Sequence, residues 1–155
     1  MESCYRDEDW MRLALVQAEA AGEKGEIPVG AVIVQNGKLI AAAHNLCEIN
    51  HSATAHAEIL AMNQATERLG TSRLSDCTLY VTLEPCPMCA GALIHARIGR
   101  IVFGAKDPRA GAFGSLLNLN SYPLESHPEC YGGLLAEQSL ALLRSFFEKM
   151  RQRNK

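Results

Sequence analysis

The chain has 155 residues and a formal net charge of −2 at pH 7, with 48% hydrophobic and 21% charged residues. At this length a protein buries about 70% of its unfolded surface as one compact unit, so we expect a single domain over residues 1–155. The composition excludes a disordered or fibrous protein. The chain starts with acidic residues and contains no run of about 18 apolar residues, so we expect a cytoplasmic protein with no membrane association.

The chain contains six cysteines. A chain of this size in a reducing compartment does not need a disulfide framework. The close spacing of two of the six cysteines therefore requires another explanation. The six are Cys4, Cys47, Cys77, Cys86, Cys89 and Cys130.

Positive charge is concentrated at the C-terminus. Within the last twelve residues, five cations stand against Glu148 alone: Arg144, Lys149, Arg151, Arg153 and Lys155. Such a tail can bind phosphates. The same charges also suit the negative end of a helix dipole at a solvated helix end. Charge alone leaves both interpretations open.

The first half of the chain predicts a helix, a hairpin and a second helix. Apolar residues at helical spacing indicate a first helix from Asp7, as its cap, to about residue 24. Residues 29–35 and 38–44 read as two antiparallel strands, because Asn36-Gly37 between them suits a tight turn. Residues 55–69 then predict the second helix.

The second half predicts a strand, a short helix and a strand in quick succession. These occupy residues 78–83, 88–96 and 100–104, and their short joins imply a parallel right-handed crossover. Residues 105–133 are rich in Gly, Asn, Ser and Pro, which predicts an irregular segment that shapes a binding surface. Residues 134–153 predict a long final helix.

Two short motifs fall at the starts of predicted helices. His56 and Glu58 open the second helix, and Cys86 and Cys89 lie at the start of the third. Cysteines at i and i+3 project from one helix face, and the positive end of the helix dipole favours thiolates there. Pro87 costs little in this first turn, where its missing N–H has no partner.

Together the motifs predict a catalytic zinc site. Two thiolates and one imidazole provide three ligands, and the fourth tetrahedral position is left for water, whose pKa zinc lowers to about 7. Glu58 is one residue from a ligand, so it can move protons beside the metal without occupying it. We therefore predict one zinc ion per chain, with His56, Cys86 and Cys89 as ligands and Glu58 as the catalytic acid and base.

Each motif also has a simpler interpretation. Cys-x-x-Cys in an α/β protein can be a redox pair. His56 and Glu58 can be a satisfied polar pair at a helix start. A closed structural zinc site requires a fourth protein ligand, and the chain offers several candidates: Cys47, Cys77, Cys130, His44 and His51.

The combination of His-x-Glu and Pro-Cys-x-x-Cys resembles the signature of zinc nucleobase deaminases. The segments PVGAV (28–32), TAHAEI (54–59) and LYVTLEPCPMCAGALIHARIGRIVFGAKD (79–107) resemble the bacterial tRNA-specific adenosine deaminases, a likeness that covers roughly residues 10–152. This resemblance implies conversion of adenosine to inosine at the wobble position (position 34) of a tRNA anticodon. It also implies a homodimer and the three-layer α/β/α cytidine deaminase fold, a five-stranded mixed sheet with helices on both faces.

The resemblance assigns further residues to the substrate. It implies that Asn45 hydrogen-bonds the flipped nucleoside. It implies that the base packs against a wall formed by Pro28 and Val29. It also implies that the anticodon loop is contacted by Asp107, Arg109 and Phe147.

Two positions depart from the family pattern. Phe113, in AGAFGS (110–115), replaces a small residue, and we favour a core or dimer-contact aromatic over a platform for base stacking. Cys130 lies where the family is usually polar or β-branched. Neither position belongs to the zinc motifs.

Two other functions compete with tRNA deamination. The same zinc motifs serve deaminases of free bases or nucleosides, such as guanine or cytosine. A zinc module that binds RNA without catalysis is an alternative of another class. The basic tail and the pair Asp107 and Arg109 favour a tRNA substrate.

Overall fold

The computed structural model describes residues 5–154, so Cys4 and Lys155 lie outside it. Its four α-helices are α1 (Asp7–Glu23), α2 (Ala57–Leu69), α3 (Pro87–His95) and α4 (Ala136–Arg153). Its five strands are β1 (Gly30–Gln35), β2 (Lys38–His44), β3 (Cys77–Leu83), β4 (Arg100–Ala105) and β5 (Glu129–Gly132). A short 3₁₀ helix spans Leu119–Ser121.

The strands form one mixed sheet in the order β2-β1-β3-β4-β5. β1 is antiparallel to both β2 and β3, whereas β3–β4 and β4–β5 are parallel. Asn36 and Gly37 take the positive φ values of 51° and 72° that a tight hairpin turn requires, which confirms the predicted hairpin. The parallel pairing of β3 and β4 confirms the predicted crossover.

Helices cover both faces of the sheet. Successive strand residues point to opposite faces, so Ala31 and Ile33 belong to one core while Val32 and Val34 belong to the other. The first core contains the apolar faces of α2 and α3, and the second contains that of α1 together with Leu142 of α4. These three layers confirm the expected α/β/α fold with its five-stranded mixed sheet.

The prediction of an irregular segment over residues 105–133 was wrong in part. This segment contains the 3₁₀ helix and β5, which supplies the fifth strand of the sheet. β5 has only four residues, pairs with β4 alone and lies at the sheet edge. It has no run of alternating apolar residues because it is largely exposed, so its sequence carries no clear strand signal.

The prediction of Asp7 as the cap of the first helix was also wrong. Arg6 is the N-cap residue, and Asp7 is the first residue of α1. The Asp7 carboxylate instead accepts hydrogen bonds from both terminal nitrogens of Arg100, at 3.0 and 2.7 Å, and from the Tyr80 hydroxyl at 2.6 Å. Asp7 therefore fastens the start of α1 to the sheet.

α4 is the most exposed of the four helices. Within it only Ser139 is buried, so most of its cations and its apolar side chains are at least partly open to solvent. None of the helices in residues 5–154 combines the length and the apolar composition needed to cross a membrane.

Candidate active site

The predicted metal ligands meet where two helices begin. His56 is the N-cap residue of α2 and Cys86 is the N-cap residue of α3, while Cys89 lies in the first turn of α3. The Nδ1 atom of His56 is 3.7 Å from the Sγ of Cys86 and 3.5 Å from the Sγ of Cys89. The fold thus brings together three residues that are up to 33 positions apart in sequence.

These distances fit a tetrahedral metal ion. With Zn–S bonds of about 2.3 Å and Zn–N bonds of about 2.0 Å, tetrahedral angles place a nitrogen and a sulfur about 3.5 Å apart. The three ligand atoms all lie within 4.8 Å of one another, and they form the one such cluster of His, Cys and acidic groups in residues 5–154. Residues 5–154 therefore place three candidate ligands at this point and no fourth His, Cys or acidic ligand atom in the same cluster.

The local electrostatics favour a thiolate at one of the two cysteines, Cys86. The hydrogen bond with the Cys89 thiol lowers the pKa of Cys86 to about 4, and the hydrogen bond with His56 acts in the same direction, while burial opposes both. The contact with Cys86, together with burial, raises the pKa of Cys89. The pKa of His56 is raised by its hydrogen bond with Cys86. A thiolate is thus already favoured in this cluster, as metal binding requires.

Glu58 is a buried carboxyl beside this cluster. Its side chain is only 4% exposed. Burial raises the pKa of Glu58 to about 7, although the charge of His56 and a backbone N–H lower it. An acid whose pKa lies near the working pH can both accept and release a proton, which suits general acid–base catalysis.

A cavity of about 630 Å³ opens above these residues. Its floor includes His56, Glu58 and Cys86. Its walls come from four segments: the approach to β1, the loop after β2, the loop after β4, and one side of α4. The wall residues include Glu26, Val29, Asn45, Cys47, Asp107, Ala110, Phe146, Phe147 and Met150.

Asn45 connects two parts of the cavity wall. Its amide nitrogen donates to the carbonyl of Ile27 at 3.1 Å, and its Oδ1 accepts from the backbone N–H of Ala57 at 2.8 Å. An asparagine amide has two N–H donors and two acceptor lone pairs. One donor and one lone pair are therefore left by these two bonds for a substrate contact.

The other predicted substrate residues fall into two groups. Val29, Asp107 and Phe147 line the cavity. Pro28 instead lines a smaller cavity of about 270 Å³ between α1 and α4, and Arg109 is exposed on the loop after β4. The structure thus brings three of the five to the cavity, and the roles of all five stay predictions.

The structure explains one of the two departures from the family pattern, Phe113, and gives the place of the other, Cys130. Phe113 is 9% exposed and belongs to the core on the α2 and α3 side of the sheet, which confirms the core-aromatic interpretation. Cys130 pairs with Ile101 in the parallel β4–β5 ladder. Burial raises the pKa of the Cys130 thiol to about 12.

Sequence reasoning missed two buried carboxylates in the cavity wall. Glu26 and Glu84 are each 2% exposed. Glu26 accepts the backbone N–H groups of Glu48 at 3.0 Å and Ile49 at 2.9 Å, so it fastens the loop after β2. Acidic residues next to loops are usually read as solvent-exposed, and backbone partners leave no signal in the sequence.

Comparison with known proteins identifies the class. A family model described as MafB19-like deaminase matches residues 5–151, nearly the whole chain. The α/β/α fold and the cluster of one histidine and two cysteines beside a buried glutamate have the arrangement of the zinc deaminases. The protein is therefore a deaminase by class.

Close relatives define the family within that class. The tRNA-specific adenosine deaminase of Bacillus subtilis is 48% identical over 151 residues, which cover 97% of this chain and 94% of the relative. The chain belongs to the family of the tRNA-specific adenosine deaminases.

Among solved structures, the chain is more similar to a tRNA deaminase than to a guanine deaminase. A tRNA:A34 deaminase, from a study of A-to-I editing at the wobble position of transfer RNA, matches with a TM-score of 0.85 and 46% identity over 86% of this chain and 98% of that chain. A guanine deaminase from Nitrosomonas europaea matches with a TM-score of 0.77 and 28% identity over 90% and 83%. The fold is shared by both, and the sequence is much closer to the first.

Proposed function

We propose that this enzyme converts adenosine to inosine at the wobble position of a tRNA anticodon. The observation that carries the proposal is the buried Glu58 beside the cluster of His56, Cys86 and Cys89, at the floor of a cavity. Family membership narrows the substrate from nucleobases in general to adenosine in tRNA. We further propose that the whole chain acts as one deaminase domain, located in the cytoplasm with its tRNA substrate.

We propose one zinc ion as the cofactor. His56, Cys86 and Cys89 would hold it, because their types and their separations suit zinc. When bound there, zinc lowers the pKa of a coordinated water to about 7, which makes the nucleophile available at neutral pH. Metal analysis of the purified protein tests this proposal, with one zinc per chain as the expected result.

The residues of the chain supply the proton transfers. Glu58 accepts a proton from the attacking water and delivers it to N1 of adenine, as the new C–O bond forms at C6. Glu58 then takes the second proton from the new C6 hydroxyl and delivers it to the amino group, so that a C6=O bond forms as the C6–N6 bond breaks and ammonia leaves. Water and adenosine thus give inosine and ammonia. Burial raises the pKa of Glu58 to about 7, so the carboxyl can serve both as base and as acid near neutral pH.

The cavity walls orient the nucleoside. We propose that Asn45 uses its remaining donor and lone pair on the nucleoside, and that Val29 is part of the wall against which the base packs, while Pro28 holds the neighbouring backbone from the smaller cavity behind it. Bases of a single-stranded loop are unstacked at little cost, so an anticodon loop can present its adenosine to a cavity of this kind.

We propose that the exposed side of α4 and the loop after β4 contact the anticodon loop. Phe147 is 43% exposed at the cavity rim, where an aromatic ring can stack on a base. Asp107 lines the same rim and Arg109 lies exposed nearby in sequence. α4 also carries four exposed cations that can bind phosphates: Arg144, Lys149, Arg151 and Arg153. The last two also suit the negative end of the helix dipole.

Deamination of a free base is the nearest alternative, because a guanine deaminase shares the fold. An assay that offers guanine, cytosine, free adenosine and an anticodon stem-loop side by side separates the two functions. Conversion of the stem-loop alone supports the proposal, whereas turnover of a free base without the stem-loop overturns it. A non-catalytic zinc module would show four protein ligands by X-ray absorption spectroscopy and no turnover of any of these substrates.

We also propose that the enzyme is a homodimer, on the ground of its family resemblance. Light scattering on the purified protein tests this. A mass near twice 16.9 kDa is the expected result, and a mass near 16.9 kDa contradicts it.

A further inference from the structure

Glu84 lies between the sheet and the predicted metal ligands His56, Cys86 and Cys89, which we name the metal-binding cluster. It follows the last residue of β3 and precedes Pro85 and the ligand Cys86. Its backbone N–H donates to the carbonyl of Ala105, at the end of β4, at 2.9 Å. The carboxylate is 2% exposed. The backbone of Glu84 is therefore held by the sheet, two residues before Cys86.

The partners of this carboxylate all belong to one loop, residues 107–115, which we name the 107–115 loop. Oε1 accepts the backbone N–H of Asp107 at 3.1 Å and the hydroxyl of Ser115. Oε2 accepts the backbone N–H of Phe113 at 3.0 Å and that of Ser115 at 3.2 Å. None of the ion pairs in residues 5–154 involves Glu84. Backbone N–H groups of a single loop thus take the place of a cationic partner.

The loop is wrapped closely around the carboxylate. A Cβ atom at Gly111 would lie 2.3 Å from Cδ of Glu84, far inside van der Waals contact. The backbone N–H of Ala112 donates to the carbonyl of Pro85 at 2.9 Å, which adds a second link to the same strand end. Only a glycine at position 111 lets the chain follow this path, so the carboxylate and the glycine are matched.

The same loop forms part of the cavity wall. Asp107 and Ala110 line the cavity together with Cys86. A buried carboxylate costs free energy unless it is well hydrogen-bonded, and an apolar side chain would fill the space at lower cost. The hydrogen bonds of the Glu84 carboxylate fix the distance between this wall and the metal-binding cluster.

We infer that Glu84 is a positioning residue that holds the 107–115 loop in place as a preformed wall for the substrate nucleotide. This inference rests on the proposed function, since the nucleotide is that of an anticodon loop. A wall that is already ordered spares the RNA the cost of ordering it on binding. Glu84 acts through Asp107 and Ala110, because its carboxylate oxygens are occupied by hydrogen bonds from the 107–115 loop.

The test variant is Glu84→Gln. A glutamine keeps the shape but replaces one acceptor oxygen with an N–H₂ donor, which must then face backbone N–H donors. Hydrogen exchange followed by NMR reads the amides of Asp107, Phe113 and Ser115 directly. We expect their exchange to speed up by about 10-fold or more, since hydrogen bonds to a charged group are lost. Zinc content is expected to stay at the wild-type value.

Binding is measured on a Glu58→Ala background, so that no turnover occurs. Fluorescence anisotropy with an anticodon stem-loop RNA gives the Kd, which we expect to rise about 10-fold when Glu84→Gln is added. Gly111→Ala perturbs the same contact from the side of the loop and leaves Glu84 intact. It is expected to raise Kd similarly, and it keeps the test valid if Glu84→Gln does not fold.

Tyr80→Phe is the matched control. It removes a partly buried hydrogen bond of 2.6 Å between β3 and the first residue of α1, Asp7, and it does not involve the 107–115 loop. It should lower thermal stability while the loop amides and the Kd stay at their wild-type values. Unchanged amide exchange in Glu84→Gln overturns the inference, and so does faster exchange with an unchanged Kd. If the parent protein binds no stem-loop RNA, the proposed function fails, while the exchange data still decide whether Glu84 holds the loop.

Discussion

Replacement of Glu58 by glutamine tests the catalytic role of this residue with the least structural disturbance. Glutamine has the same shape as the glutamate, so it fits a site that is only 4% exposed. It cannot exchange a proton with the substrate. General acid–base catalysis contributes about 10²–10⁴ in rate, which corresponds to about 2.7–5.5 kcal/mol of transition-state stabilisation. We therefore expect Glu58→Gln to lower the rate of deamination by at least about 100-fold.

Single-turnover kinetics with enzyme in excess over an anticodon stem-loop RNA measure this rate without interference from product release. Zinc content and melting temperature are measured on the same samples. Glu67→Gln, an exposed acidic residue on the same helix, is the control and should keep the wild-type rate. A fall of less than 10-fold would show that Glu58 does not carry the proton. Loss of zinc in Glu58→Gln would show that Glu58 is a ligand.

Three further predictions concern metal and stability. Cys89→Ala should abolish zinc binding and lower the melting temperature, because metal binding contributes to folding; metal analysis and thermal unfolding with and without a chelator measure both. Asp7→Asn should lower the free energy of unfolding by about 1 kcal/mol at pH 7, a modest value because the ion pair with Arg100 is partly exposed. Arg100 lowers the pKa of Asp7 in the folded protein, so this stabilisation is present above about pH 4 and is lost as the pH falls further, which urea unfolding at pH 7 and pH 3 measures. Gly30→Ala should cost roughly 3 kcal/mol or more, because the new Cβ would lie 2.0 Å from the carbonyl oxygen of Ala14 and force α1 off the sheet.

Each of these predictions has a matched control in the chain. Cys77→Ala removes a buried cysteine outside the metal-binding cluster, so it should keep full zinc content. Asp9→Asn breaks an exposed ion pair with Arg12, and it should change stability less than Asp7→Asn does. Gly22→Ala places a Cβ at an ordinary 3.6 Å contact, so its melting temperature should stay near that of the wild type. Equal effects in test and control would contradict the structural reasoning in each case.

The elements with strong local signals could be predicted from the sequence. Asn36-Gly37 marks the hairpin because its turn needs two positive φ values. The cluster of His56, Cys86 and Cys89 was predictable because its motifs lie at helix starts, where the orientation of side chains follows from the spacing. The crossover between β3 and β4 followed from short joins.

What the sequence did not reveal depends on distant partners. Asp7 resembled a helix cap, but its carboxylate binds Arg100, which is 93 positions away. Glu26 and Glu84 bind backbone N–H groups, which every residue carries and no pattern marks. β5 lies at an exposed edge, where apolar alternation is weak. In each case long-range contacts outweighed local propensity.

The most direct test of the proposed function is deamination of tRNA itself. A tRNA transcript with adenosine at position 34 is incubated with the purified enzyme and then sequenced, since inosine is read as guanosine. We expect conversion at position 34 alone, and none with Glu58→Gln. An unchanged transcript, together with deamination of free guanine or cytosine by the same sample, would contradict the proposed function.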